Sequence, residues 1–169
     1  MRMRRMEPVL LGTPRLVLVT ESRAAQRFAA LFNDVWARVS DVHRHRLAYG
    51  WRARSGQEPP RVELRDLSDL GRDVSTDVDE HGRVMRFDST LFDHAPPSLV
   101  QSGIAFVLAA ASICMGERAR RLNEFLDPFA HSLAADWGFP ISRNDERVVE
   151  RWLHTRPRGA DRTARGGRR

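Results

Sequence analysis

Side chains able to bind a metal, carry a proton or act as a nucleophile are thinly spread along this chain of 169 residues. The six histidines stand at 43, 45, 81, 94, 131 and 154. Only His43 and His45 are close, as an H-x-H in an arginine-rich segment that reads as an exposed helix face. Glu124, Asp127 and His131 bring two carboxylates and an imidazole within about two helical turns. An open catalytic zinc takes three protein ligands, so these three are the candidates for a divergent metal-dependent hydrolase. Asp127 before Pro128 also has the form of an N-cap followed by a first-turn proline, and Glu124 that of a solvated helix residue. The lone Cys114 forms no internal disulfide and no CxxC pair; in its apolar run it behaves as a small hydrophobe. Asp66, Asp69, Asp73, Asp77, Asp79 and Glu80 make one region acidic without the residue order of an EF-hand. No GxSxG, P-loop or GxGxxG occurs.

Every one of the 28 basic residues is arginine, against 22 acids, for a formal charge of +6. That charge sits at the ends. Residues 155–169 carry six arginines and Asp161, a net of +5, and residues 1–8 a net of +2, which leaves −1 for 9–154. The segment TRPRGADRTARGGRR has too few apolar residues to fold alone. It is expected to be a disordered basic arm, suited to phosphate or to an acidic partner. Length and the 41% hydrophobic content fit one domain with its own core. The expected organisation is a flexible N-terminus over 1–15, a single domain over 16–154 and the arm over 155–169. The basic start lacks the unbroken apolar run and small-residue site of a signal peptide. Gly103 to Met115 is shorter than the ~17–25 residues of a membrane span and reads as a buried helix. No membrane association is expected, and one cysteine fits a reducing, cytoplasmic setting.

Hydrophobic periodicity gives the elements. Leu16 to Val19 is a short apolar run, with Thr20 as an N-cap. Ala24, Ala25, Phe28, Leu31, Phe32, Val35, Trp36 and Val39 form the stripe of an amphipathic helix from Glu21. A second helix is expected over Asp41 to Tyr49, ended by Gly50; residues 52–60 read as a loop. Alternation at 61–65, with 74–78 and 83–87 flanking a turn at 79–82, predicts a small sheet of about three strands, mostly antiparallel. A buried helix follows from Pro96–Pro97 to Met115. Helical character resumes over 117–137, split at Asp127–Pro128 and closed by Gly138 and Pro140. Ser142 with Asp145 caps a last helix whose stripe is Val148, Val149, Trp152 and Leu153. The order is α+β.

This order, with the phrases LFNDVW (31–36), RVELRDL (61–67), RVMRFDSTLFDHAPPSLVQSGIAFVLAAA (83–111) and LAADWGFP (133–140), resembles the zincin-like metallopeptidase domains. The nearest in form are the small bacterial SprT-like and ImmA/IrrE-like proteins. The resemblance covers roughly 120 residues. It implies a zincin-like fold and places the active-site helix at Leu99 to Ala111. In HExxH, two histidines at i and i+4 bind zinc and the glutamate activates its water. Here Phe106-Val107-Leu108-Ala109-Ala110 occupies the motif. Phe106 and Ala110 stand at the histidine positions and Val107 at the glutamate, and none can ligate a metal or move a proton. Such proteins take the third ligand from the next helix, which points to Glu124 or Asp127.

The expectation is a catalytically inactive metallopeptidase homologue, serving as a binding or regulatory module for a protein partner. Phe106 and its neighbours should fill the vacated site with an apolar pocket. No cofactor is expected; zinc enters only through the residual donors. The alternatives are a nucleic-acid-associated protein using the 155–169 arm and a divergent hydrolase using Glu124, Asp127 and His131.

Overall fold

The structure, a computed structural model, describes residues 9–10, 16–20, 22–52, 59–114 and 126–156. It is an α+β fold built on one mixed sheet. The strands are β1 (Val9–Leu10), β2 (Val17–Thr20), β3 (Arg61–Arg65), β4 (Thr76–Val78) and β5 (Val84–Asp88), in the order β1-β2-β3-β5-β4. The helices are α1 (Ala25–Arg38), α2 (Asp41–Arg52), α3 (Ser89–Phe92), α4 (Pro97–Cys114), α5 (Leu126–Asp136) and α6 (Arg143–Thr155).

The sheet corrects the expectation of three mostly antiparallel strands. β2 pairs with β3, and β3 with β5, in parallel. Only the two-residue edge β1 and the hairpin strand β4 run antiparallel to their neighbours. The alternation of β3 misleads because it is typical of a sheet wet on one face, whereas parallel strands are usually apolar on both. Here α1 and α4 cover the face of Leu18, Val62, Leu64, Met85 and Phe87. The opposite face carries an arginine–carboxylate ladder. Glu63 forms ion pairs with Arg61, Arg65 and Arg86 at 2.9, 3.2 and 3.1 Å, and Arg86 also reaches Asp77 at 2.6 Å. β1 lies within the stretch expected to be flexible, where Val9 pairs opposite Leu18.

Helix boundaries follow local chemistry. Thr20 does not cap α1. Its Oγ1 accepts from the Ser22 N–H at 2.9 Å, and the Ser22 Oγ from the Ala24 N–H at 2.9 Å, so two side-chain turns lead from strand to helix. α1 buries Phe28, Phe32 and Val35, as its stripe predicts. α2 runs past Gly50 because Trp51 is buried: it stacks on Trp36 with centroids 5.9 Å apart, and its Nε1 donates to the Gly82 carbonyl at 2.8 Å. The short α3 is an addition to the expected order, capped by Asp88, which accepts from the Thr90 N–H at 2.9 Å. α4 is long and apolar enough to cross a membrane, yet eleven of its eighteen residues are buried in the core. Residues 115–125 lie outside the described residues, and Asp127, the expected cap, lies within α5 (Leu126–Asp136). Gly138, at φ +92°, ends it as expected. The capping box of α6 is formed: the Asp145 N–H donates to Ser142 Oγ at 3.1 Å and the Ser142 N–H to Asp145 Oδ2 at 3.3 Å.

Candidate functional site: an aromatic groove beside the buried helix

A groove of about 400 Å³ lies along the face of α4 that carries Leu99, Ser102, Gly103 and Phe106. That volume is within the range of small-ligand sites, roughly 300–1,000 Å³. Its other walls are Asp73 to Thr76 on the approach to β4, Phe92 of α3, His131 of α5, Phe139 and Ile141 after α5, and Val149 of α6. Each wall has a local cause. At Gly103 the Phe92 ring of α3 packs onto α4: a methyl group there would stand 2.6 Å from that ring. Phe92 in turn packs edge-on against Phe87, with centroids 5.4 Å apart. The Ser102 hydroxyl donates to the Pro140 carbonyl at 3.1 Å, which ties the turn after α5 to α4. Ser98 Oγ donates to Asp145 Oδ1 at 2.9 Å, which ties α6 to the same helix.

Phe106 lines the groove and lies against the His131 ring, centroids 4.4 Å apart and planes 32° apart. The first motif position and one of the residual metal candidates, His131, are therefore brought together. Val107 and Ala110 are not in the groove wall: both are buried in the core. Asp127 lies in the first turn of α5, and its side chain, like the whole of Glu124, lies outside the described residues. Among the described residues, no group of three or more His, Cys, Asp and Glu side chains converges as for a metal. Among the described residues the donor set falls short of an open catalytic zinc: Phe106, Val107 and Ala110 have no donor atom, and the groove wall holds the His131 imidazole and the Asp73 carboxylate where three protein ligands are needed. The walls suit an apolar ligand that also carries groups able to hydrogen-bond to Ser75, Thr76 or His131.

The far wall is fixed by a buried polar network centred on Asp88. Its Oδ2 accepts from Arg156 Nη2 at 2.6 Å and from the Leu67 N–H at 3.0 Å. Thr90 Oγ1 donates to Oδ1 and accepts from Trp152 Nε1 at 2.9 Å. Arg156 is 8% exposed and sits 4.7 Å over the Trp152 ring. Its Nη1 donates to the carbonyls of Arg72 and Val74 at 2.8 and 3.2 Å, so it holds the loop that forms the groove wall. Its Nη2 also reaches Asp66. The backbone N–H of Ser68 and, more weakly, this guanidinium hold the Asp66 carboxyl below its usual range. Composition puts Arg156 in the basic arm; its burial and these bonds make it part of the core. Residues 157–169 lie outside the described residues.

Cys114 is half-buried at the end of α4, where burial, and then the Asp79 charge, push its thiol pKa up. It is not an activated nucleophile. Sequence reasoning missed the groove wall at Asp73 to Thr76 and the anchoring role of Arg156. The one local signal was Gly103, a glycine inside an apolar helix, which marks a close approach. No family model, curated protein or solved structure matches this chain.

Proposed function

We propose that this protein is a catalytically inactive zincin-like homologue whose groove along α4 is a binding site. The observation that carries the proposal is the Phe106–His131 contact. At the first histidine position of the expected motif, an aromatic ring occupies the space beside the one imidazole that the next helix contributes. An aromatic ring there favours retention of an apolar group and gives no means to polarise a carbonyl or activate water. The reading is supported by the long buried helix α4, which spans the stretch where the resemblance puts the active-site helix. The partner is a protein segment or small molecule that presents an apolar group to Phe92, Phe106 and Phe139. A cytoplasmic setting belongs to the same proposal.

The test uses an apolar fluorescent dye and an unstructured protein substrate, each with and without added zinc. The expected result is dye binding, weakened by Phe106→Asp in a variant that keeps its fold by circular dichroism, and no cleavage. Zinc-dependent cleavage that disappears on chelation would overturn the proposal.

A further inference from the structure

The outward face of α2 carries the residue types that hold single-stranded nucleic acid, on the folded body and away from the groove. Val42, His45, Arg46, Tyr49 and Arg52 follow the i, i+3, i+4, i+7, i+10 spacing of one helix face. Opposite them, Leu47 and Trp51 are buried. Val42 and Tyr49 are 75% and 76% exposed, and Tyr49 is the only tyrosine of the chain. His45 is exposed, its Nδ1 3.0 Å from the Asp41 carbonyl. The rings of His45 and Tyr49 thus lie one turn, about 6 Å, apart along the axis.

The charge on this face is one-signed. Asp41, the only acid of α2, is already paired with Arg44. Arg46 and Arg52 are exposed, and neither has an ion-pair partner among the described residues. The field is felt nearby: burial first, and then the charge of Arg46, lower the pKa of His43, whose ring packs on Trp137 with centroids 5.4 Å apart.

We infer that this face of α2 binds single-stranded nucleic acid, with Tyr49 and His45 as stacking platforms for bases and Arg46 and Arg52 on phosphates. Stacking on aromatic rings flanked by cations is the common way such strands are held without sequence preference. A protein partner is the weaker match. The two exposed apolar side chains are separated by His45 and Arg46, so they form no continuous apolar patch such as the core of a protein interface needs.

The experiment measures fluorescence anisotropy of a labelled oligothymidylate with the full chain, titrated at two salt concentrations, with polyglutamate as competitor. Tyr49→Ala and the double variant Arg46→Glu/Arg52→Glu change only exposed side chains and should fold as the parent does. The expected result is binding that Tyr49→Ala weakens by about fivefold or more, and that the double variant weakens while flattening the salt dependence. Absence of binding, or binding unchanged in both variants, would overturn the inference, the second outcome assigning affinity to the basic arm. Loss in the double variant alone, or displacement by polyglutamate as effective as by unlabelled oligothymidylate, would also overturn it in favour of a plain acidic partner.

Discussion

Arg156 shows how far a single residue can depart from what its neighbourhood in sequence suggests. It stands among arginines, glycines and prolines, yet it neutralises Asp88 and satisfies the carbonyls of Arg72 and Val74. Removing one partner of a buried ion pair leaves the other charge without compensation, at a cost of about 3–5 kcal/mol. Arg156→Met is therefore expected to lower stability by an amount in that range in urea unfolding; a loss below about 1 kcal/mol would place Asp88 in contact with water. Gly103 is a second such residue. Alanine favours a helix by up to ~1 kcal/mol, but its methyl would press into the Phe92 ring, and overpacking costs ~1–3 kcal/mol. Gly103→Ala is expected to destabilise by about 1 kcal/mol in the same assay and to narrow the groove. His43 gives the pH dependence. Its folded pKa lies below 6.5, chiefly through burial and then through Arg46. Between the folded value and 6.5 the unfolded chain binds more protons, so stability rises with pH through that window and is lost as pH falls through it. Melting temperature should drop from pH 7.5 to 5.5, with a smaller drop in His43→Gln; equal drops would show that His43 is not the group responsible.

At the scale of elements, the C-terminal boundary matters most. α6 ends at Thr155, and Arg156 closes it by donating its N–H to the Trp152 carbonyl at 3.0 Å. A chain ending at 154 should melt several degrees below one ending at 156 in a thermal assay. Equal melting temperatures would remove Arg156 from the core. Element type was largely legible in the sequence. The stripe of α1, the apolar run of α4, the capping box at Ser142 and the glycine after α5 each state a local rule that the fold obeys. Strand pairing was not legible. Direction in a sheet depends on which strands the crossovers bring together, and the polar residues of β3 come from a ladder of ion pairs across β3, β4 and β5 that no local pattern reveals. The groove was legible only on the α4 side, through Phe106. Its other walls come from loops and from residues far apart in the chain, brought in by Arg156 and Ser102.

For the whole molecule, the net positive charge and the groove have separate homes. The chain's +6 lies at its ends, while the groove along α4 is walled mainly by apolar side chains, with Asp73, Ser75, Thr76, Ser102 and His131 among them. The proposed role rests on the absence of donor atoms at 106, 107 and 110, so zinc stoichiometry tests it most directly. The protein is purified without added metal, dialysed against micromolar zinc, and its metal content measured by mass spectrometry before and after chelation. The prediction is well below one zinc per chain, with no change in melting temperature on chelation. One tightly held zinc per chain, whose removal lowers the melting temperature, would contradict it.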